Sequence, residues 1–478
     1  MGAINGDQFL KRVNSRQTEI WIDGKKVKDK VSEHPVFKGI LHTKSTLYDM
    51  QVSNNNEMTY PSPITGESIG LSFLQPKTKK DLIKRRKMTE KWAKSTAGML
   101  GRSPDYLNTV IMSLASSAHL LTGKENCFPE NIQSIYEMAR EKDLTFTHTF
   151  ITPQVNRSQM YLEATKEPIS ARIIDRNNKG IVIKGARLLA TQGGLTDEVL
   201  IFGAPKYCKE EAFACSIPSD SKGLKFICRE SFVGGDSTID YPLSSQFEEM
   251  DSIIVFDDVF VPWNRVFYYN NLEVANSFLA QSTFQPFALH QVLTRQIVKM
   301  EFIIGLAESL IQTIDVGEYQ HIHEKMADMI SCLEAMKALL EKAENDAQIT
   351  DSGILVPNII PLRVANLTFS KSYARFGEII QLIGASGMVS LPTEKSFHSD
   401  IGKDLEHYLQ AANKSAIDRN KLFRLAWNLT MSAFGTRQTQ YERYFFGDPV
   451  RLASALYHIY PIEEQVKIIH DFLHIKET

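Results

Sequence analysis

Apolar positions recur at helical spacing over the first third of the chain, crowd into short dense runs in the middle, and return to helical spacing for the rest. A short helix is predicted from Gly6. Beyond it, Ile20-Trp21-Ile22 and Val27 flank Asp23-Gly24, the pattern of a small hairpin. Thr78 with Asp81 three residues on forms a capping-box pattern, and Leu82, Met88 and Trp92 then recur on one side of a basic helix. At Gly101-Arg102-Ser103-Pro104-Asp105-Tyr106 another helix begins. Ser103 suits the N-cap, Pro104 the first helical position, and Asp105 puts negative charge where the helix dipole favours it. Leu107, Val110, Ile111 and Leu114 give that helix a buried face, and one more is predicted around residues 131–141. Residues 1–145 therefore read as a mainly helical domain.

The texture changes near Leu144. Short β-rich runs follow at 160–164, 171–174, 180–183, 199–202, 224–227 and 252–256, separated by turn-rich links such as Arg176-Asn177-Asn178-Lys179. Such runs predict an antiparallel sandwich or barrel over residues 146–268. After Pro262-Trp263-Asn264 the helical pattern returns. Ile322, Met326, Met329, Leu333, Met336 and Leu340 alternate spacings of four and three, a narrow seam suited to long packed helices, so residues 269–478 are predicted to form a helical bundle with that seam as core. The fold class is α+β.

Composition narrows the function classes. At 478 residues, 43% hydrophobic and 23% charged, the chain has the profile of a soluble globular protein. A formal net charge of -2 leaves no global basic field for nucleic acid, and the run from Lys79-Lys80 to Lys84-Arg85-Arg86-Lys87 reads as a solvated helix face. No apolar leader follows Met1 and no stretch reaches the ~18 apolar residues of a membrane span, which points to the cytoplasm. Five cysteines (Cys127, Cys208, Cys215, Cys228, Cys332) are widely spaced with no CxxC pair, so they read as buried small hydrophobes, with no metal site expected.

Two stretches offer chemistry. Arg102 lies just outside a helix N-terminus and Tyr106 one turn in, so both can point toward one spot. The segment 144–158, at the junction of the first two domains, brings His148, Thr145, Thr147, Thr149, Gln154 and Arg157 close together in sequence, and domain junctions favour ligand sites. Taken alone, a helix start and a lone histidine are structural more often than catalytic. No GxGxxG follows a strand and opens a helix, so direct use of NADH is not expected.

Gly101-Arg102-Ser103-Pro104-Asp105-Tyr106, Thr147-His148-Thr149, Pro153-Gln154-Val155-Asn156-Arg157-Ser158 and Gly185-Ala186-Arg187-Leu188-Leu189-Ala190-Thr191 resemble the oxygenase components of two-component 4-hydroxyphenylacetate 3-monooxygenases. The resemblance extends through His34-Pro35-Val36-Phe37-Lys38-Gly39, Leu47-Tyr48-Asp49, Leu224-Lys225-Phe226-Ile227-Cys228-Arg229, Phe256-Asp257-Asp258-Val259-Phe260-Val261-Pro262, Tyr441-Glu442-Arg443-Tyr444 and Gly447-Asp448-Pro449. It implies the acyl-CoA dehydrogenase-like layout: an N-terminal helical domain, a middle β-barrel or sandwich and a C-terminal bundle.

The implied activity belongs to aromatic catabolism. FAD reduced by a separate flavin reductase reacts with O2 to a C4a-hydroperoxyflavin, which hydroxylates a para-substituted phenol ortho to its hydroxyl; 4-hydroxyphenylacetate is the expected substrate. Arg102, Tyr106 and His148 surround the phenol oxygen by this pattern, with His148 as proton acceptor and Arg102 stabilising negative charge. Substrate contacts are expected from Ser103 as well, and flavin contacts from His148, Thr149, Phe150, Gln154, Val155, Asn156, Arg157 and Thr191. The small-residue turns Gly384-Ala385-Ser386-Gly387 and Phe446-Gly447-Asp448-Pro449 are further flavin candidates, each also readable as a helix C-cap. A homotetramer built through the bundle is implied too. One departure stands out: where close relatives hold the substrate carboxylate with a Ser-Thr pair, an ungapped count lands on Gly203-Ala204, so another phenol stays open. An acyl-CoA dehydrogenase-like flavoenzyme is the other alternative, and it needs a carboxylate base. Iron-sulfur 4-hydroxybutyryl-CoA dehydratases are excluded by the lack of cysteine between Met99 and Tyr106, which leaves His290 without thiolate partners.

Overall fold

The computed structural model describes residues 2–149, 151–153, 169–203 and 208–475. The predicted hairpin forms, with Asp23 and Gly24 both at positive φ in its turn (50° and 72°). It is more than a local feature. Glu19–Ile22 pairs in parallel with Leu224–Cys228, so the hairpin becomes the edge of a six-stranded sheet. The order is Lys25–Lys26, Glu19–Ile22, Leu224–Cys228, Asp251–Pro262, Gly180–Thr191, Arg172–Arg176. Val266–Tyr269, Phe213–Pro218, Glu198–Ile201 and Phe146–Thr149 form a second sheet in that order, and its last pair is parallel.

The sheets share one core, with Ile183, Phe226, Ile254 and Phe256 from the first and Val199, Ile201, Phe213 and Ile217 from the second. Of the two predicted alternatives the sandwich holds, and the barrel and the purely antiparallel pairing are corrected. Among the described residues these are two packed sheets with no closed barrel, and each is mixed because one parallel pair joins strands that no hairpin can connect.

Strand Asp251–Pro262 shows how sequence phases the sheet. Ser252, Ile254 and Phe256 are buried, then Val259 and Val261, and the register shift between Phe256 and Val259 coincides with Asp258 at φ 54°. This bulge moves the buried set from even to odd positions without breaking the strand. Three strands of these two sheets have no counterpart among the predicted runs. Phe146–Thr149 is buried at every position and Phe213–Pro218 at five of six, so neither alternates, and Val266–Tyr269 is only four residues long. The run 160–164 lies outside the described residues.

Thr78 and Asp81 make the predicted capping box of helix Lys79–Ser95. Its basic face is less solvated than expected. Arg85 is buried, and its guanidinium donates to the Leu71, Ser72 and Leu74 carbonyls and to Thr109 Oγ1 at 2.7–3.1 Å. Helix Pro104–Ser116 is buried on all sides, and Thr109 Oγ1 is one reason it can be. The cysteine expectation also needs correction: all five are free thiols, but only Cys215 is buried.

In the bundle, Phe284–Ile314, Gln320–Asn345 and Ile359–Gly384 pack side by side, and Ile322, Met329, Leu333, Met336 and Leu340 are core with Met326 packed against them. The last two helices differ: Pro449–Ile459 and Glu463–Leu473 bury no residue and leave Val450, Tyr457, Ile468 and Phe472 exposed. No helix of the described chain is long and apolar enough to cross a membrane.

Candidate active site

Helix Pro104–Ser116 starts where the sequence placed it, but its N-terminus is not capped as predicted. The Ser103 hydroxyl donates to the Asp105 carboxylate instead of accepting from the helix, and Gln291 Nε2 donates to the other Asp105 oxygen at 3.0 Å. The amides just before the helix are held from a distant link, the one that leads into strand Asp251–Pro262. Glu249, with no exposed surface, accepts from Gly101 N at 2.9 Å and from Arg102 N at 2.7 Å.

So held, Arg102 projects into a cluster of rings. Its guanidinium carbon is 4.5 Å from the centre of Tyr106, 4.3 Å from Phe445 and 5.6 Å from Tyr441, and Nη1 donates to the Tyr441 hydroxyl at 2.7 Å. Nε is buried without a hydrogen-bond partner among the described residues. His148, on strand Phe146–Thr149, lies 6.0 Å from Tyr106 and stacks on Phe202 at 5.6 Å and 12°. Burial first, and then the Arg102 charge, push its imidazole well below the usual range, so it is neutral at pH 7. Burial raises the Tyr106 phenol, with Arg102 and Arg295 pulling the other way.

These rings close a circuit. From His148 it runs through Phe202 to Phe284 at 6.1 Å, Phe446 at 6.0 Å, Phe445 at 5.6 Å, and back to Tyr106 at 5.4 Å.

On the other side of Arg102 the groups are charged. Gln192 Nε2 donates to Glu249 Oε1 at 2.9 Å and to the Arg102 carbonyl at 3.1 Å, and Lys44 Nζ donates to Gln192 Oε1 at 2.9 Å. Thr147 Oγ1 donates to the Thr191 carbonyl, Thr191 Oγ1 to Asp251, and Arg437 clamps Asp251 with Nε at 3.0 Å and Nη2 at 2.8 Å. Burial alone would raise the Asp251 carboxyl, but Arg437 and then Arg229 bring it down to about 2. The helix bearing Tyr441 is anchored by a buried triad: Glu442 takes Arg295 at 2.7 Å and 2.9 Å and Lys299 at 2.8 Å.

The structure thus brings Arg102, Tyr106 and His148 together. Thr149 Oγ1 donates to the Leu188 carbonyl, and Gly203 is buried beside Phe202. Asp448 caps the N-terminus of helix Pro449–Ile459, with Pro449 in its first turn and Gly447 at φ 127°, so this segment opens a helix where a C-cap was an option. The Gly384–Gly387 turn packs on Met388, Phe423 and Arg419. Phe150, Gln154, Val155, Asn156, Arg157, Ser158 and Ala204 lie outside the described residues. His290 is paired with Glu344 at 2.9 Å, and the described residues contain no group of three His, Cys, Asp or Glu side chains suited to a metal ion. Sequence reasoning missed Tyr441, Phe445 and Glu249. The four-residue spacing of the two aromatics was a usable signal, whereas nothing links position 249 to position 102 before the chain folds.

The family models for the N-terminal and C-terminal parts of 4-hydroxyphenylacetate 3-hydroxylase match residues 5–268 and 275–474. The chain belongs to the 4-hydroxyphenylacetate 3-hydroxylase family. It is 60% identical to a probable 4-hydroxyphenylacetate 3-monooxygenase of Bacillus subtilis, over 99% of both chains. It is 42% identical to the 4-hydroxyphenylacetate 3-monooxygenase oxygenase component of Thermus thermophilus, over 98% of this chain and 97% of that one. Among solved structures, an oxygenase component complexed with FAD and 4-hydroxyphenylacetate superposes with a TM-score of 0.94 at 41% identity, covering 99% and 98% of the two chains. A 4-hydroxybutyryl-CoA dehydratase from N. maritimus shares the fold, with a TM-score of 0.90 at 20% identity over 100% and 96%.

Proposed function

We propose that this chain is the oxygenase component of a two-component phenol hydroxylase, converting a para-substituted phenol to a catechol, with 4-hydroxyphenylacetate as the substrate. The observation that carries this reading is the convergence of Arg102, Tyr106 and a neutral His148 within one aromatic enclosure. The residues fit a bound flavin and phenol: the enclosure is aromatic, and the buried Arg102 Nε–H finds no acceptor among the described residues, one that an anionic oxygen would supply. His148 and Thr149 would hold FAD on one side, Thr191 at the end of its strand, and Phe446 with the Gly447-Asp448-Pro449 turn on another; Phe150, Gln154, Val155, Asn156 and Arg157 complete the family pattern.

When bound, reduced FAD supplies two electrons to O2, so that one oxygen atom enters the ring and the other leaves as water. The chain's own task is to make the ring electron-rich. His148, unprotonated at neutral pH, accepts or shares the phenolic proton. Arg102 holds a fixed positive charge beside the phenolate, and the Tyr106 ring, with its phenol kept protonated by burial, orients the substrate. Gly203 offers no side chain to the para substituent, which leaves its polarity less constrained than its position.

The deciding experiment is incubation of the protein with photoreduced FAD, O2 and a panel of para-substituted phenols. Catechol should form, and NADH should be consumed only when a flavin reductase is added. No catechol from any phenol, or NADH oxidation by the chain alone, would sink the reading. We also infer a cytoplasmic homotetramer assembled through the bundle and its last two helices, motivated by their exposed Val450, Tyr457, Ile468 and Phe472. Light scattering at micromolar concentration tests it, and a monomer overturns it.

A further inference from the structure

Arg102 carries the positive charge on which the proposed hydroxylation depends, and two groups from distant parts of the chain hold it. The first acts on its backbone. Glu249 commits both carboxylate oxygens to the amides of Gly101 and Arg102, and Arg437 Nη1 lies 3.5 Å from Oε2. Gln192 bridges Glu249 to the Arg102 carbonyl, and Lys44 fixes the Gln192 amide by binding its oxygen. Both the N–H and the C=O of Arg102 are therefore tied to one buried assembly.

The second group acts on the guanidinium. Tyr106 and Phe445 lie close to it, and Tyr441 accepts from Nη1 at 2.7 Å. Gly101 permits that approach, since a Cβ there would overlap the Tyr441 hydroxyl. Ring contacts alone leave a guanidinium free to rotate in its own plane, whereas a hydrogen bond at one nitrogen fixes that rotation. The Nε donor is then left buried and without a partner among the described residues.

We propose that Glu249 and Tyr441 are positioning residues for Arg102. Glu249 sets where the arginine leaves the backbone and Tyr441 sets how its guanidinium is turned, so that a donor is kept for the phenolate oxygen. This rests on the phenol-hydroxylase reading above. Neither residue touches the reacting atoms by this account; both act through Arg102.

The test uses the full-length protein with a flavin reductase, reduced FAD and 4-hydroxyphenylacetate. Tyr441→Phe keeps the ring and removes the acceptor, and Glu249→Gln keeps the shape and removes the charge. Each should lower kcat/KM by ~10-fold or more, with more peroxide released per catechol formed. Phenol binding to the flavin-free protein, read as ligand-induced thermal stabilisation, should weaken in parallel. The discriminating step is repetition in an Arg102→Ala background, where the two substitutions should add little, because the residue they act through is gone. Effects that multiply fully with Arg102→Ala would overturn the proposal, as would a Tyr441→Phe protein with parental kcat/KM and coupling. Should Glu249→Gln fail to fold, Tyr441→Phe decides alone. Failure of the underlying reading looks different: the parent protein itself would make no catechol.

Discussion

The two sides of Arg102 are built on opposite principles. Toward Phe202, Phe284, Phe445 and Phe446 it meets ring against ring at 5.4–6.1 Å, contacts without a fixed donor or acceptor. Toward Glu249, Asp251, Arg437 and Glu442 it meets buried or largely buried charges, each paired in one geometry. Ring packing is soft, and a lost contact is partly recovered by repacking. A buried ion pair is not: removing one partner strands the other in a low dielectric. On the proposed reading, the enclosure that would meet a substrate is thus the adaptable half, and the scaffold that fixes the Arg102 charge is the rigid half.

Glu442→Ala is the severest way to break that contrast. It leaves Arg295 and Lys299 buried without their carboxylate, and it loosens the helix that presents Tyr441 and Phe445 to Arg102. A loss of ~3–5 kcal/mol is expected, measured as a fall in the thermal unfolding midpoint. A near-parental midpoint would mean that the charged side is as forgiving as the aromatic one.

His148→Ala probes the residue that belongs to both sides, an imidazole in the ring circuit with Arg102 as its charged neighbour. The fold should survive and reduced FAD should still bind, but the hydroxylation step should slow by ~10²–10⁴-fold, with peroxide released in place of catechol. Catechol yield per flavin oxidised is the measurement, and unchanged coupling would return His148 to a structural role. Arg102→Ala should also shorten the productive lifetime of the reduced flavin with O2, whereas Tyr106→Phe should mainly disturb substrate orientation.

The same contrast explains what was legible beforehand. Helix starts, the Asp23-Gly24 hairpin and the Met-rich seam are local patterns, and each appears where its residues predicted it. Arg102, Tyr106 and His148 came from a family resemblance, and the fold brings them together. The charged half was invisible because its pairs are separated by up to 188 residues, as in Glu249 with Arg437, and no periodicity encodes such a distance. Ser103 shows the limit at a single position: its residue type suits a cap, yet a neighbouring Asp105 carboxylate claims its hydroxyl. Parallel pairing of Glu19–Ile22 with Leu224–Cys228 was hidden for the same reason as the ion pairs.

Acid should separate the two halves next. His148 and His290 are held neutral by burial, their imidazoles below the usual range, so the unfolded chain takes up a proton first as pH falls through about 6.5 and stability drops. At pH 5.5 the loss is about 1.4 kcal/mol for each imidazole that stays neutral in the fold. Asp143 opposes this: burial raises its carboxyl to about 6, so between there and the ordinary carboxylate range the fold holds a proton that the unfolded chain lacks. Asp251 and Glu442 are depressed despite burial, because their cations outweigh it, and their contribution is lost only as pH falls below about 4. The midpoint of His148→Asn should therefore fall less than the parent's as pH drops below about 6.5, for as long as the imidazole stays neutral in the fold. Identical profiles would contradict the neutral imidazole.

Phe446→Leu should have the smallest effect, and it tests the soft half directly. Phe446 is only partly buried, stacks on Phe284 at 6.0 Å and 18°, and touches Phe445 at 48°. Leucine keeps most of the apolar contact and loses the aromatic pairing, which is worth ~0.5–1.5 kcal/mol beyond the area buried. Part of that is regained because an unbonded neighbour can shift, so a loss of about 1 kcal/mol or less is expected, at every pH alike, since no titrating group is removed. The measurement is the thermal midpoint of Phe446→Leu beside that of Glu442→Ala in the same buffers. If the leucine variant falls as far as the alanine one, or its deficit grows on acidification, the ring circuit is coupled to the ion network and the division between a soft and a rigid side of Arg102 fails.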